Sequence, residues 1–272
     1  MTEPRRGVVT LSDRTYFPGL LGLHASIQSS YPCEVICYDA GLTVAQRDEC
    51  EQLPRLRVLD LPDDPLIADV IEASRGDAPL GKPGKRIWPL WICPLLIRAA
   101  PLDELVWLDC DILVLRGLGE LFGMLAEGPV FTPENKAPER SANDPSLYLH
   151  MPIDRPFDPG VPVVNGGVSG WRRGRDDDAI EAYIRPVAAA ARNAEIREAI
   201  AWHDQGALVW AIQSLGLEDR VLPATSWNLC VDRVRLRRRA LRWDAGLVDR
   251  LRAALPDVNL LHWNGRPSPW LA

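Results

Sequence analysis

The chain has no excess of basic residues. Its 31 lysines and arginines are outnumbered by 37 aspartates and glutamates, which gives a formal net charge of −6 over 272 residues. A protein whose main partner is nucleic acid needs clustered positive charge to neutralise phosphates, so this composition argues against that class of partner. The charge balance instead favours a small molecule as the ligand.

Long apolar runs are also missing. The most apolar window, residues 87–100, contains two prolines and Arg98 and is too short to span a bilayer. The charged N-terminal segment is not followed by an apolar stretch of about 7–15 residues, so the sequence shows no secretory signal. Together these features predict a cytoplasmic protein without a transmembrane segment.

Cysteine pairs typical of zinc sites are absent. The six cysteines lie at positions 33, 37, 50, 93, 110 and 230 and form no pair of Cys-x-x-Cys units. In a chain without a visible secretory signal, such scattered cysteines are expected to be free thiols.

A complete phosphate-binding loop is missing as well. Residues 76–83, GDAPLGKP, have the spacing of such a loop as far as its lysine, but Pro83 stands where serine or threonine is required. Proline supplies neither a hydroxyl for magnesium nor an N–H for phosphate. We therefore expect no nucleotide-binding loop of this kind.

The first third of the chain alternates short β-like runs with helical ones. Strands are predicted at 7–12, 34–39 and 56–61, and helices at 18–30 and 43–53. Such alternation predicts an α/β fold with a mostly parallel central sheet covered by helices, and with sites at the carboxyl ends of the strands. A further helical stretch at 87–100 leads into the strand-like segments LVWLD and DILVL.

The second half of the chain is less regular. Residues 132–162 hold seven prolines and predict a long ordered loop, either a binding loop or lid or a surface insertion. Helices are predicted at 179–192 and 195–214, with Asp176, Asp177 and Asp178 capping the first of them. The basic run 233–242 predicts either a solvated face or a contact with an anionic acceptor or membrane surface.

Two acids interrupt the buried strand pattern LVWLDCDILV, residues 105–114. Residues i and i+2 of a strand point to the same side, so Asp109 and Asp111 are expected to converge on one point. Two ionised carboxylates at an apolar strand end need positive charge, and their oxygen ligands suit Mg²⁺ or Mn²⁺. The rival use of paired carboxylates, glycoside hydrolysis, needs acids on opposite sides of a sugar, roughly 5–9.5 Å apart.

Short motifs then follow one another in a recognisable order. They are VTLSDRTYFPGLLGLHASI, WLDCDILVLRGLGELF, NGGV, HDQGAL, WN and HWNGRPSPW. Across residues 8–270 the chain resembles the family 8 retaining glycosyltransferases, the group of glycogenin and the bacterial lipooligosaccharide galactosyltransferases. The resemblance implies a GT-A fold with a single Rossmann-like sheet and an acceptor-side subregion. It also implies one domain over residues 1–272, with a nucleotide-sugar-binding half at 1–116 and an acceptor-side half at 117–272.

The resemblance carries an activity with it. It implies transfer of a hexose, glucose or galactose, from a UDP-sugar with retention of configuration and with Mn²⁺, or Mg²⁺, as the metal. Asp109 and Asp111 would be its metal-binding Asp-x-Asp, and His262 the third protein ligand. Asp204 and Gln205 match its catalytic Asp-Gln pair, although a plain helix N-cap also explains Asp204. The acceptor is left open among glycans, lipids, peptides and natural products.

Donor-binding residues follow from the same resemblance. Tyr16 would offer a stacking face to the base, or alternatively pack at the start of a helix. The other residues assigned to the donor nucleotide are Thr10, Leu11, Asp13, Cys110, Gly265 and Arg266. Asn165, Gly166 and Gly167 would lie beside the donor sugar, where the glycines allow close backbone approach. Lys85, Arg86 or Arg98 would compensate at the diphosphate for a basic residue that the family carries and this chain lacks.

The chain departs from the family pattern in several places. Ser268 stands at a lysine position, Gly206 at an aspartate position, and Ile92 or Cys93 near a basic position. The first two departures favour one rival function, a non-catalytic or hydrolysis-only relative that binds a nucleotide sugar. A nucleotidyltransferase, which shares the sheet architecture, is the second rival. The second normally opens with a glycine-rich basic loop, which VVTLSDRTY lacks.

Overall fold

The computed structural model describes residues 3–76, 91–133, 146–156, 158, 160, 163–200, 204–231 and 244–263. Its strands are β1 (Arg6–Ser12), β2 (Glu34–Asp39), β3 (Leu56–Leu59), β4 (Glu104–Leu108), β5 (Ile112–Val114), β6 (Val130–Pro133), β7 (Val164–Arg172), β8 (Leu229–Cys230) and β9 (Leu260–His262). Its α-helices are α1 (Phe17–Ser30), α2 (Val44–Glu51), α3 (Pro65–Gly76), α4 (Cys93–Ala99), α5 (Leu118–Met124), α6 (Ser146–His150), α7 (Asp177–Arg192), α8 (Ala194–Ala199), α9 (Asp204–Leu215), α10 (Ala224–Trp227) and α11 (Leu247–Ala254). A 3-10 helix spans Glu218–Arg220.

Six strands form the central sheet in the order β3-β2-β1-β4-β7-β6. The pairings among β3, β2, β1 and β4 are parallel, and Val8 of β1 lies opposite Val35 on one side and Val106 on the other. Strand β7 runs antiparallel to both β4 and β6. The expected α/β fold with a mostly parallel sheet is therefore confirmed, and its antiparallel edge comes from the later part of the chain.

Both faces of the sheet are buried, as strand β4 shows. Leu105 and Trp107 pack into one apolar cluster with residues of α4, α7 and α9. Val106 and Leu108 point the other way, into a cluster with residues of α1 and α5. A strand covered on both faces has no polar side, which explains why LVWL is continuously hydrophobic.

A second sheet of three strands, ordered β5-β9-β8, sits next to the carboxyl end of β4. Ile112 of β5 pairs with His262 of β9 in antiparallel register, and β9 runs parallel to β8. This small sheet brings the late segment of the chain beside the Asp-Cys-Asp stretch.

Element boundaries depart from the expectations where local chemistry decides them. Helix α2 is the shorter Val44–Glu51 because Thr43 and Gln46 form a capping box at its start. Helix α4 begins at Cys93 because Pro94 occupies its first turn, where no N–H is needed. The helix expected at 195–214 is two helices, α8 and α9.

The expected loop at 132–162 is only partly a loop. Its first two residues, Thr132 and Pro133, end β6, and the short helix α6 (Ser146–His150) lies inside it. Residues 134–145 of this segment lie outside the described residues, as do four positions between 157 and 162.

The capping role expected of Asp176 is wrong. Asp176 occupies the N-cap position of α7, but its side chain makes no hydrogen bond to the helix. Its carboxylate instead accepts the N–H of Arg172 and pairs with the Arg175 guanidinium, both at 2.7 Å. The charged guanidinium binds the carboxylate more strongly than the neutral N–H groups at the start of the helix would. Asp177 and Asp178 do lie in the first turn, as expected.

Two expectations drawn from absences can be compared with the structure. All six cysteines are free and buried, in agreement with the sequence. Within the described ranges, no helix combines the length and the apolar content that a bilayer crossing needs.

Candidate active site

Asp109 and Asp111 lie in a turn, and the expectation that they share one face of a strand is wrong. The turn joins the end of β4 to β5, and the N–H of Ile112 closes it by donating to the carbonyl of Asp109 at 3.1 Å. The chain turns here because β4 belongs to the central sheet and β5 to the small one. Convergence of the two acids follows from the turn and not from the strand pleat.

Backbone bonds hold this turn from two sides. The N–H of Asp109 donates to the carbonyl of Gly167 at 2.9 Å, which ties the turn to β7. The N–H of Trp263 donates to the carbonyl of Asp111 at 3.0 Å, which ties it to the end of β9. The position of the carboxylates is therefore set by backbone contacts from distant parts of the chain.

Asp109, Asp111 and His262 form a candidate metal centre. One ligand atom from each residue lies within 4.8 Å of the others. Nε2 of His262 is 3.0 Å from Oδ1 of Asp111, and the imidazole is buried. Two carboxylate oxygens and one imidazole nitrogen are a donor set that suits Mn²⁺, so these residues fit the metal that the sequence resemblance implies.

Burial and the neighbouring charge of Asp111 oppose the ionisation of Asp109 in the metal-free protein. Burial, and then the charge of Asp111, raises the pKa of Asp109 to about 6. His262 and a hydrogen bond from Nε1 of Trp107, 3.1 Å from Oδ1 of Asp109, act in the opposite direction. A divalent cation bound here would remove the repulsion between the two acids.

Asp204 lies at the start of α9 and is the third carboxylate of this region. Burial, and then the charge of Asp109, raises the pKa of Asp204 to about 8. The hydroxyl of Tyr183 donates to Oδ2 of Asp204 at 2.9 Å and stabilises the charged form. Tyr183 is itself fully buried and stacks on Trp171, so it holds Asp204 from a rigid position.

Gly166 and Gly167 make room for these acids. A Cβ at position 167 would lie 2.6 Å from Oδ2 of Asp109, and one at position 166 would lie 2.7 Å from Oδ2 of Asp204. Real Cβ atoms do not approach oxygen this closely, so each glycine allows a carboxylate to lie directly against β7. In the structure the atoms next to these glycines are side chains of the chain itself, and their approach to a donor sugar stays a prediction.

Asn165 connects β7 with α9. Its Oδ1 accepts the N–H of Gly167 at 2.9 Å, and its Nδ2 faces Oε1 of Gln205 at 3.5 Å. Both amides are buried. The structure thus brings Asn165 and the Asp204-Gln205 pair to the same place as the three possible metal ligands.

The end of β1 lies directly beside the turn. The Sγ of Cys110 donates to the carbonyl of Leu11 at 2.8 Å and lies 3.3 Å from Oγ1 of Thr10. Asp13 organises the loop that follows, since its Oδ1 accepts the N–H groups of Thr15 and Tyr16 at 2.8 and 3.0 Å.

Tyr16 lies at the end of this loop, directly before α1. The residue is 44% exposed. Burial of the hydroxyl, followed by the charges of Asp111 and Asp109, raises the pKa of Tyr16 to about 12. Tyr16 is also the N-cap of α1, so the structure combines the helix-start position with partial exposure.

Some expected donor contacts lie outside the described residues. These contacts are Lys85, Arg86, Gly265 and Arg266. Three other features of the sequence also lie outside the described residues, namely Ser268, the basic run 233–242 and most of the segment 76–83.

Sequence reasoning missed two side chains at this site. Tyr183, which binds Asp204, carries no signal because it lies within an ordinary amphipathic helix. Asn228, which binds His262, belongs to the short motif WN but was given no role.

The raised pKa values predict how stability depends on pH in the metal-free protein. Between its ordinary pKa of 3.8 and the raised value, each acid holds a proton in the folded state that the unfolded chain has released. The contribution of these protons to the free energy of unfolding is complete below pH 3.8. It is lost as the pH rises through about 6 for Asp109 and about 8 for Asp204.

The variant Asp204→Asn, which is neutral at every pH, isolates the second contribution. Relative to the wild type, its free energy of unfolding is expected to increase as the pH rises from about 4 to about 8. Denaturant unfolding in the presence of chelator measures this difference. If the free energies of unfolding of the two proteins change in parallel with pH over this range, Asp204 does not titrate as the structure indicates.

The chain shares its fold with solved glycosyltransferases. An active-site mutant of LgtC aligns over 97% of this chain and 89% of that chain, with 17% identity and a TM-score of 0.62. The galactosyltransferase LgtC in complex with donor and acceptor sugar analogues aligns over 97% and 88%, with 16% identity and a TM-score of 0.62. Mouse xyloside xylosyltransferase 1 aligns over 96% and 98%, with 15% identity and a TM-score of 0.53.

No protein-family model matches the chain, and no curated protein matches it in sequence. The structural likenesses extend along nearly the whole chain and define its class of fold. This is the GT-A fold of glycosyltransferases, and the expectation from the sequence motifs is confirmed at this level.

Proposed function

We propose that the protein is a metal-dependent retaining glycosyltransferase, which transfers a hexose from a UDP-sugar to an acceptor hydroxyl. The observation that carries the proposal is the convergence of Asp109, Asp111 and His262 at the carboxyl end of β4. Ligands of open α/β sheets bind at this edge. The fold shared with a galactosyltransferase that binds donor and acceptor sugar analogues supports the assignment.

Three side chains would hold the metal, Mn²⁺ or alternatively Mg²⁺. They are Asp109, Asp111 and His262, whose oxygen and nitrogen atoms suit these cations. When bound, the metal supplies positive charge that stabilises the diphosphate as it leaves the sugar. Lys85, Arg86 and Arg266 are proposed to add positive charge to the same diphosphate.

The loop after β1 is proposed to bind the nucleotide. Tyr16, which is 44% exposed, is proposed to stack on the base, and Asp13 holds the loop in shape through two backbone N–H groups. The nucleotide is also proposed to contact Thr10, Leu11 and Cys110, which are joined by the hydrogen bonds of the Cys110 thiol. In this arrangement the base lies on one side of the carboxylate pair and the sugar on the other, towards β7 and α9.

Gln205 is proposed to stabilise the positive charge that develops on the sugar. Its carbonyl oxygen faces Nδ2 of Asn165 at 3.5 Å, which fixes the orientation of the amide beside the carboxylate pair. In the metal-free protein, burial and the charge of Asp109 raise the pKa of Asp204 to about 8, which disfavours the free carboxylate that a covalent nucleophile needs. Retention then follows from attack by the acceptor on the face that the diphosphate leaves.

A panel of UDP-sugars tests the proposal. Release of UDP is measured with Mn²⁺ and with chelator, in the presence of glycan, lipid, peptide and natural-product acceptors. We expect turnover with UDP-glucose or UDP-galactose, and loss of turnover in chelator. Full activity in chelator would contradict the role of the metal.

A non-catalytic protein that binds a nucleotide sugar is the second candidate. It is favoured by Gly206, a buried residue on α9 at a position where the resembled family carries an aspartate. Binding of UDP-sugar in a calorimeter, without turnover on any acceptor, would favour this candidate over the first.

A further inference from the structure

His262 is bonded on both sides of its ring. Its Nε2 faces Oδ1 of Asp111 at 3.0 Å, in the candidate metal centre. Its Nδ1 faces Oδ1 of Asn228 at 2.9 Å, on the side away from that centre. Both residues are buried, with 2% of His262 and none of Asn228 exposed.

The orientation of the Asn228 amide is set by a second contact. Nδ2 of Asn228 donates to the carbonyl oxygen of Pro133, the last residue of β6, at 3.3 Å. A backbone carbonyl only accepts hydrogen bonds, so the amino end of the amide must face Pro133. The carbonyl end of the amide therefore faces the imidazole.

This orientation determines which nitrogen of His262 carries the hydrogen. The Oδ1 of Asn228 has no hydrogen to donate, so Nδ1 of His262 must be the donor. While no cation is bound, the 3.0 Å contact between Nε2 of His262 and Oδ1 of Asp111 needs a hydrogen between the two atoms. When a cation replaces that hydrogen, the hydrogen on Nδ1 stays in place and the lone pair of Nε2 faces the cation.

We propose that Asn228 is a positioning residue, which holds His262 in the Nδ1–H tautomer and presents the Nε2 lone pair to the cation. The proposal rests on the metal-dependent function proposed above. Metal-binding histidines depend on a bond at the second nitrogen for their tautomer and ring orientation. Here that bond comes from the junction of α10 and β8, and the orientation of the amide comes from the end of β6.

A purely structural role for Asn228 makes a different prediction. In that case the amide only fills a buried polar position between β6 and β9, and its loss lowers stability without changing the tautomer or the metal affinity. The two roles are separated by measurements on the metal-free and Mn²⁺-bound protein that do not depend on activity.

Three variants form the test. Asn228→Leu removes the acceptor for Nδ1–H while keeping a similar volume, and Asn228→Asp keeps an oxygen acceptor. Gln213→Leu is the matched control, because Gln213 is a buried amide whose bonds go to the backbone of Asp158, away from His262.

The first measurement is the tautomer of His262 in the metal-free protein. Nitrogen NMR at about pH 8 distinguishes a protonated from a lone-pair nitrogen, and the signal is assigned by its loss in His262→Gln. We expect the form with a hydrogen on Nδ1 in the wild type, in Asn228→Asp and in Gln213→Leu, whether or not Nε2 also carries one. In Asn228→Leu we expect this form to be lost or mixed with the other.

The second measurement is the dissociation constant for Mn²⁺, obtained from the free-ion signal in electron paramagnetic resonance. Asn228→Leu is expected to weaken binding about 10–100-fold. Asn228→Asp and Gln213→Leu are expected to stay within about threefold of the wild type.

The outcomes separate the two proposals. If the wild type binds Mn²⁺ and Asn228→Leu keeps both the tautomer and the affinity, the role of Asn228 is overturned while the metal-dependent function stands. If the wild type binds no Mn²⁺, both proposals are overturned.

Discussion

Replacing Asp109 and Asp111 together by asparagine is expected to lower kcat/KM for sugar transfer by about 10³-fold or more. A metal that neutralises charge on a leaving group contributes several kcal/mol to the transition state, and each ~1.4 kcal/mol is tenfold in rate. Neutral amides keep the shape of the two side chains but not the charge that holds the cation. Release of UDP and the dissociation constant for Mn²⁺ measure the two effects.

The same double variant is expected to be more stable than the wild type in chelator at neutral pH. Burial and the charge of Asp111 raise the pKa of Asp109 to about 6, so its ionisation destabilises the metal-free fold as the pH rises through that value. Asparagine removes this destabilisation. An inactive variant with raised stability cannot owe its inactivity to unfolding.

The matched control is Asp177→Asn with Asp178→Asn. These acids make the same change of net charge but lie exposed in the first turn of α7. The control is expected to keep both turnover and Mn²⁺ affinity. Equal losses in the two double variants would show that net charge, and not the candidate metal centre, controls the activity.

The second large effect is expected from Gly167→Ala, which adds one methyl group beside Asp109. In Gly167→Ala the new Cβ would lie 2.6 Å from Oδ2 of Asp109 and 2.8 Å from Oδ1 of Asn165. The carboxylate is held from its other side by Nε1 of Trp107, so it can move only by breaking that bond. We expect Mn²⁺ to bind about 10–100-fold more weakly and the fold to lose about 1–3 kcal/mol.

Gly123→Ala is the control for this change. Position 123 lies on α5, and a Cβ there would meet no atom within 4 Å. Alanine in a helix is expected to raise stability by about 0.5–1 kcal/mol and to leave Mn²⁺ binding unchanged. Wild-type affinity in Gly167→Ala would mean that the carboxylate of Asp109 does not depend on the space beside β7.

Much of the architecture could be predicted because it is encoded locally. The alternation of strand and helix patterns predicted β1, α1, β2, α2 and β3 to within a few residues. The acids in LVWLDCDILV stood out because ionised carboxylates are costly beside an apolar strand. Their association with His262 was implied by the order of motifs, and the structure places the three together.

Predictions failed where a contact outside the expected pattern overrides a local preference. Asp176 was expected to cap α7, but the Arg175 guanidinium and the N–H of Arg172 take its carboxylate. Asp109 and Asp111 were expected on one strand, but β5 pairs with β9 in another sheet, so the chain turns between them. The first competitor lies next to Asp176 in the chain, whereas the pairing of β5 with the distant β9 is not visible in the segment itself.

The sequence by itself determined which segments form strands and helices and which acids need a positive partner, since periodicity and burial of charge act within short stretches. Only the tertiary structure decided what surrounds those acids. The spacing of Gly167 against Asp109, the bond from Tyr183 to Asp204 and the bond from Asn228 to His262 join residues far apart in the chain. Such contacts depend on which strands and helices become neighbours in the folded chain, and no pattern within a short segment records this.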